Sequence, residues 1–287
     1  MSLAVSLPLP RRRARAYSAA LTGAIVLAAA VVAALLAGVL APDPRAVAAA
    51  PISGPTARHL LGTNDLGQDL LSVWLHGARV SLIVGFSAAL LSTAVSGLIG
   101  MLSVAWRPAR MPLLALTDFL LAIPHLPLVV LIIALVGPGM WHLIAALTLI
   151  GWPAYARVVR VQVLVTMQRD YVEAARALGA SGARILWTCL LPEVLPLLWT
   201  KFLLTVRWAI LMEAVLALMG LGDATRFSWG SMLNSAFAYP LLFLGDAWLW
   251  WALPPALAIA AITLALSAVG RDFETWLNPA AQTGSRV

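Results

Sequence analysis

The chain has 287 residues, of which 62% are hydrophobic and only 11% are charged, whereas a soluble domain carries about 25% charged residues. This composition excludes a soluble globular protein, and the single cysteine, Cys189, excludes an internal disulfide framework. The net charge of +7 fits the positively charged cytoplasmic loops of a membrane protein, so no nucleic-acid partner is expected.

Long uncharged stretches predict an all-α polytopic membrane protein. A spanning helix needs roughly 20 apolar residues, and residues 80–106 and 247–270 contain no charge at all. We predict about six transmembrane helices, at residues 18–40, 80–106, 112–136, 141–164, 198–220 and 247–270. The rest of the chain divides into an N-terminal tail (1–17), a polar segment (41–79), a five-helix core (80–270) with a polar loop at 165–197, and a C-terminal tail (271–287).

The distribution of arginine and lysine predicts the orientation. If the N-terminus is cytoplasmic, fourteen of these residues lie inside and four outside, and Arg207 lies within a span. The positive-inside rule then places both termini and loop 165–197 in the cytoplasm, and segment 41–79 outside. The alternative for the N-terminus is a cleaved signal peptide that ends near the sequence AVAAAP.

The loop between spans four and five predicts two short helices joined by a turn. Its sequence over residues 170–192 is DYVEAARALGASGARILWTCLLP, in which Val172 and Leu178 fall on one helical face with small residues between them. Gly179 can adopt the left-handed conformation that ends a helix, and Ser181 can cap the next one. The product is a short amphipathic helix, a tight turn and a second helix that leads back to the membrane.

Two interpretations of this unit remain open from the residues alone. Glu173 can form local ion pairs with Arg169 or Arg176, which suits a solvated helix that lies on the membrane surface. The small residues Ala174 and Ala175 would instead let the surface of a partner protein approach closely, which suits a docking element. Helical periodicity does not separate the two.

The same unit resembles a known motif. Residues 173–175 read EAA, and Gly179 and the Leu191-Pro192 pair follow at the spacing of the EAA motif, which marks the permease subunits of ABC importers. Four further stretches resemble the C-type, MetI-like permeases of dipeptide, oligopeptide and nickel importers: LGTNDLGQDLLS with GARVSL, DFLLAIP, EAVLALMGLG and SWGSMLN. Gln68 departs from that pattern, because an arginine is usual there.

The resemblance implies a multi-pass protein of the bacterial plasma (inner) membrane that transports peptides, nickel or a metal chelate. Such a permease pairs with a second, homologous permease as a heterodimer, binds two cytoplasmic ABC ATPases and receives its ligand from an external solute-binding protein. ATP and Mg are bound by the ATPases, and this chain has no GxxxxGK[ST] loop, so neither a cofactor nor a catalytic residue is expected in it. The implied ATPase-coupling residues are Glu173, Ala174, Ala175, Arg176, Leu178 and Gly179.

Three charges within the predicted spans are candidates for the translocation pathway or for pairing. Asp118 could line the pathway or pair with a basic group, Glu213 fits the family pattern at the end of span five, and Arg207 could meet an anionic substrate or the partner permease. The four histidines are not at metal-ligand spacing, so no metal site is predicted.

Two other classes of function were weighed against the importer. An intramembrane hydrolase would need a catalytic motif such as HExxH, which the sequence lacks. An ion-coupled secondary carrier that works without an ATPase could use Asp118 and Glu213. It would leave the EAA unit without an explanation.

Overall fold

The computed structural model describes the backbone of residues 11–277 and the side chains of residues 19–272. Over that range the chain is helical and has no β-strand. The helices are α1 (Arg11–Leu40), α2 (Leu70–Ala105), α3 (Arg107–Ala122), α4 (His125–Val136), α5 (Met140–Thr166), α6 (Asp170–Ala177), α7 (Gly182–Ile185), α8 (Leu191–Leu218), α9 (Trp229–Ala238), α10 (Ala247–Trp251) and α11 (Leu253–Leu277), with a π-helical turn at Leu186–Leu190. Helices α1 and α11 extend into the two predicted tails, whose outer parts, 1–10 and 278–287, lie outside the described residues.

Among the described residues, 4 helical stretches are long and apolar enough to cross a membrane, or up to 5 if the bent pair α3 and α4 is counted as one span. The stretches are Ala19–Leu40, Leu70–Ala105, Met140–Thr166 and Ala247–Asp272. Helix α8, which covers the fifth predicted span, has 28 residues but is not in this set. The polytopic all-α architecture is therefore confirmed, whereas the number of six spans is not.

The third predicted span, residues 112–136, is not a single straight helix. Helices α3 and α4 meet at an angle of 93°. Ile123 joins them in an extended conformation, with φ −90° and ψ 130°, because the ring of Pro124 disfavours the helical conformation for the residue before it. Pro124 then stands immediately before α4.

Two helices begin before the predicted spans to which they correspond. Helix α2 starts at Leu70, where Asp69 caps it by accepting a 2.8 Å hydrogen bond from the backbone N–H of Ser72. Helix α8 starts at Leu191, before the predicted fifth span, and Pro192 occupies its first turn. The segment between α1 and α2 therefore covers residues 41–69.

Helix α2 is the centre of the packing, since it contacts α1, α3, α5, α8 and α9, while α1 also packs along α11. Helices α2 and α5 approach closely at Gly100. A Cβ atom there would lie 2.6 Å from the Cβ of Val159, far inside van der Waals contact. Glycine at this position thus sets the distance between the two helices.

Segment 41–69 folds over the start of α2. Val47 and Thr63 form isolated β-bridges with Gln68 and Asp69. The side chain of Asn64 donates a 2.8 Å hydrogen bond to that of Gln68, and both residues are buried. At the position where the family resemblance leads one to expect arginine, this chain therefore has a neutral, hydrogen-bonded glutamine.

Candidate functional site

The loop between α5 and α8 forms a compact unit, residues 167–190, which we call the coupling unit. Helix α5 ends in a tight turn in which the N–H of Arg169 donates to the carbonyl of Thr166 at 3.1 Å. Helix α6 follows with Asp170 and Glu173 in its first turn and Arg176 in its last. This order of charges complements the helix dipole.

Gly179 ends α6 as the sequence predicts. Its φ is +82°, its N–H bonds the carbonyl of Arg176 at 2.9 Å, and the N–H of Ala180 bonds that of Ala175 at 3.0 Å. These two bonds define a Schellman motif. No atom lies within 4 Å of where a Cβ would stand, so the backbone conformation, and not lack of space, requires glycine.

Between α6 and α8 the chain contains a π-helical turn in addition to the turn at Gly179. Ser181 caps α7 through a 3.3 Å hydrogen bond from the N–H of Arg184, as predicted. The π-helical turn Leu186–Leu190 then leads into α8, and the N–H of Leu191 bonds the carbonyl of Leu186. Pro192 cannot donate to the preceding turn, which accounts for a wider turn at this point. Such single π-turns are frequent at functional sites.

One buried side chain anchors α6 to the spans. Val172 is fully buried and belongs to an apolar cluster with Val163 of α5, Ile185 of α7, Leu190 of the π-turn and Val194 of α8. A displacement of α6 must therefore either move these side chains with it or break the cluster.

The opposite side of α6 is open. Leu178 is 89% exposed, although its spacing from Val172 predicts that both lie on one face. Helix α6 ends at Ala177, and the turn at Gly179 directs Leu178 outward. The exposed members of the predicted contact set are Glu173, Ala174, Arg176, Leu178 and Gly179, and Ala175 is half-buried.

The predicted ion pairs within α6 are not formed, since none of the ion pairs among the described residues includes Glu173. Arg169 instead bonds Glu193 of α8, with 2.6 Å between Nη1 and Oε1, and the hydroxyl of Tyr171 donates to the same oxygen at 3.4 Å. Partial burial and the Glu193 carboxylate raise the pKa of Tyr171. The start of α6 is thus tied directly to α8.

Asp118 is paired within the chain. Its Oδ1 lies 2.6 Å from Nη2 of Arg157, and both side chains are more than half exposed. The pair joins α3 to α5, beside the bend between α3 and α4.

The other two intramembrane candidates are also held by partners in the chain. Glu213 is 2% exposed, and the hydroxyl of Ser81 donates to it at 3.0 Å. The same hydroxyl oxygen accepts the N–H of Trp229 at 3.2 Å, so this cluster joins α8, α2 and the start of α9. Arg207 donates to the hydroxyl of Ser267 at 3.1 Å, which links α8 to α11.

Within the described part of the chain, no group of three or more His, Cys, Asp or Glu side chains could hold a metal ion. His59 has one acidic neighbour, Asp69, with 3.0 Å between Nδ1 and Oδ1. Asp69 also caps α2, so this contact belongs to the packing of segment 41–69.

Comparison with known proteins identifies the family. Residues 92–282 match the family described as "Binding-protein-dependent transport system inner membrane component". The chain belongs to this family. It is therefore the permease subunit of an ABC importer in the inner membrane, and ATP hydrolysis is the task of a separate subunit. Membership removes the intramembrane hydrolase and the ion-coupled carrier from consideration.

Two relatives extend this similarity over most of the chain. The di/tripeptide transport system permease protein DppC of Pseudomonas aeruginosa is 38% identical over 231 residues, which cover 79% of this chain and 74% of the relative. The dipeptide transport system permease protein DppC of Bacillus subtilis is 35% identical over 229 residues, which cover 78% and 70%. The EAA resemblance and the C-type stretches had indicated the same branch.

Proposed function

We propose that this chain forms one half of the membrane pathway of an ATP-driven peptide importer and that the exposed face of its coupling unit receives the ATPases. The second half of the pathway would come from a homologous permease, and two ATPases would dock on the cytoplasmic side. An external binding protein would deliver the peptide. This chain itself would bind neither ATP nor Mg.

The coupling unit is the observation that carries the mechanism. Its exposed face combines one carboxylate, Glu173, with small side chains and the exposed Leu178, so a partner protein can approach closely and bind in one orientation. Its inner face is held by Val172 and by the bond from Arg169 to Glu193. A movement of the ATPases would therefore pass through α6 into α8 and α5.

Six spans and cytoplasmic termini complete the proposal. The bent pair α3 and α4 would act as the third span and α8 as the fifth. Each of the three charged candidates has a partner in the chain: Asp118 with Arg157, Arg207 with Ser267 and Glu213 with Ser81. Arg157 and Asp118 remain accessible, so this pair is the better candidate for a wall of the pathway, and Glu213 has a structural role.

Peptide is favoured over nickel or a metal chelate by the relatives, both of which are named as peptide permeases. The uptake of a labelled dipeptide, measured in cells in which this chain is the only such permease, tests the substrate. Dipeptide uptake that depends on this chain and is insensitive to competing Ni²⁺ is the expected result. Chain-dependent uptake of Ni²⁺ without dipeptide uptake would contradict the peptide assignment.

The docking role is tested by Gly179→Ala and Glu173→Ala in the same assay. A non-glycine residue at the left-handed φ of Gly179 costs about 1–2 kcal/mol, which would distort the end of α6, so uptake should fall about 10-fold or more. Loss of the Glu173 carboxylate should reduce both uptake and the co-purification of the ATPase. The amount of chain in the membrane, measured by immunoblot, should stay unchanged.

Each variant has a matched control in the same unit. Gly182→Ala adds a methyl group in open space at a glycine without a positive φ, and Asp170→Ala removes an exposed carboxylate that stands outside the proposed contact set. Both should transport normally. Full transport by Gly179→Ala and Glu173→Ala, or equal losses in the variants and their controls, would contradict the docking role.

A further inference from the structure

The end of the molecule opposite the coupling unit contains an open cleft. Helix α8 has 28 residues and is therefore about 42 Å long, so the loop that follows it lies across the membrane from α6. The cleft has a volume of about 180 Å³ and is lined by Arg45, Asp223, Ala224, Arg226, Phe227, Ser231 and Ser235. In the proposed orientation it opens to the outside.

The two arginines of this cleft have spare hydrogen-bond donors. The Nη2 group of Arg45 donates to the carbonyl of Thr225. The carboxylate of the neighbouring Asp43 accepts from the backbone N–H of Arg45 rather than from its guanidinium. Among the described residues, Arg226 has a 3.9 Å ion pair with Asp223 and a 3.8 Å contact with the sulfur of Met140. A guanidinium carries five N–H donors, so most of them face the cleft or solvent.

Asp223, the one acidic residue of the cleft, is already occupied. Its Oδ1 accepts the N–H and the hydroxyl of Thr225, at 2.8 and 2.6 Å, and its Oδ2 accepts the N–H of Met140 at 3.1 Å. One committed carboxylate thus stands against two guanidinium groups. The cleft has an excess positive charge and is suited to a further carboxylate, which arginine binds through two parallel hydrogen bonds.

The size of the cleft favours a side chain over a free ligand. Pockets for small molecules are typically about 300–1,000 Å³, whereas this one is about 180 Å³ and would hold one carboxylate side chain with Phe227 beside its stem. The family is defined by dependence on a binding protein, which must meet the permease on this side of the membrane.

We propose that Arg45 and Arg226 form a docking site for an acidic side chain, Asp or Glu, on the surface of the external solute-binding protein. The proposal rests on the proposed function through the orientation of the chain. It adds a second point of contact with a partner, at the opposite end of the molecule from the ATPase contact.

The test uses the complete transporter in nanodiscs of phosphatidylcholine, which supply no anionic lipid. The probe is the solute-binding protein of the same transport system, purified separately, and its Kd for the transporter is measured by surface plasmon resonance over a series of NaCl concentrations. Arg45→Gln and Arg226→Gln should each raise the Kd about three- to ten-fold and flatten its dependence on salt, since charged pairs at an interface set association and its ionic-strength dependence.

Two further variants make the result specific. Arg58→Gln removes an equal charge from another exposed arginine of segment 41–69 and should leave the Kd within two-fold. Ser235→Glu places a carboxylate at the mouth of the cleft while both arginines stay, and it should weaken binding as Arg226→Gln does. This variant keeps the test valid if an arginine substitution disturbs the folding of the loop.

Each outcome is decisive. A Kd in Arg226→Gln and Ser235→Glu equal to that of Arg58→Gln would overturn the site while the importer function stands. If Arg45→Gln and Arg226→Gln kept the wild-type Kd but raised the dipeptide concentration needed for half-maximal transport, the carboxylate bound by the arginines would belong to the transported peptide. This result would also overturn the proposal. A complete transporter that binds no solute-binding protein at all would remove the proposed function and this site together.

Discussion

The two ends of this permease are built in different ways. At the end that we propose to be cytoplasmic, the coupling unit is shaped by hydrogen bonds between residues a few positions apart, such as the cap of Ser181 and the two bonds around Gly179. At the opposite end, which the same proposal places outside and which we call the outer end, the critical bonds join distant parts of the chain: Ser81 with Glu213, Met140 with Asp223 and Arg45 with Thr225.

This difference has a mechanical consequence. A unit with local internal bonds keeps its shape when it moves, and the coupling unit is attached to the spans through the apolar cluster around Val172 and through the ion pair from Arg169 to Glu193. The outer end instead ties α2, α5, α8 and α9 together, so it cannot move without breaking bonds between helices. The coupling unit is therefore suited to transmit the movement of a bound partner protein to the spans. The outer end is suited to resist that movement until the helices shift together.

The largest expected effect comes from cutting the attachment of the coupling unit. Val172→Asp would place a carboxylate in a site with no exposed surface, at a cost of several kcal/mol. The unit should detach from the spans, so uptake should fall by about 100-fold, which corresponds to about 3 kcal/mol. Limited proteolysis should cleave residues 167–190 much faster than in the wild type, while the chain stays in the membrane.

Leu178→Asp is the matched comparison, because it makes the same kind of change on the same unit at an 89% exposed position. It should weaken the association with the ATPase without any increase in proteolysis. Equal proteolysis of the two variants would show that Val172 is not the anchor.

At the outer end, Glu213→Ala should have a smaller, structural effect. It removes the acceptor of Ser81 and loosens the start of α9, and hydrogen bonds between membrane helices are worth about 1–2 kcal/mol at most. The purified transporter should therefore show a lower unfolding temperature, with uptake reduced in proportion to the amount of folded protein.

A double-mutant cycle with Ser81→Ala separates this contact from general damage. The two substitutions should be less than additive, since they remove the same bond. Thr263→Ala, which removes a hydroxyl that bonds only within its own helix, should combine additively with Glu213→Ala. Additive behaviour of Ser81→Ala would show that the contact contributes nothing to stability.

The same difference between the ends explains how much the sequence could predict. The turn at Gly179 and the cap at Ser181 are correct predictions because their partners lie within four residues, where residue type and spacing determine geometry. Glu173 forms no ion pair with Arg169 because Glu193, 24 positions from Arg169, binds that arginine instead. Nothing in the local sequence of either residue signals this contact.

The bend in the third predicted span and the cluster at Glu213 have related explanations. Hydropathy alone does not distinguish a straight span at 112–136 from two helices, and Pro124 produces the bend through its effect on Ile123. The cluster at Glu213 could not be found, because Ser81 lies 132 positions away and reaches it only after α2 and α8 have packed. The outer cleft likewise requires segment 41–69 to fold back against the loop after α8.

The smallest expected effect is a pH dependence confined to the outer loop. Burial acts to raise the pKa of Asp223, but the hydrogen bonds from Thr225 and the Met140 backbone, with the Arg226 charge, together lower it below its ordinary value of 3.8. A carboxyl group whose folded pKa is lowered stabilises the fold at pH values above its unfolded pKa, and this contribution is lost as the pH falls through the folded pKa.

Hydrogen exchange at the amides of Met140 and Thr225, corrected for intrinsic rates, should show constant protection above about pH 5 and a few-fold loss below 3.8. Asp223→Asn should give lower protection that no longer depends on pH, and the coupling unit, which does not contact this loop, should exchange identically in both proteins. Loss of protection in the wild type at a higher pH than in a control loop would contradict this prediction. Burial would then destabilise the Asp223 carboxylate more than its hydrogen-bond donors stabilise it, and other bonds would have to close the outer end.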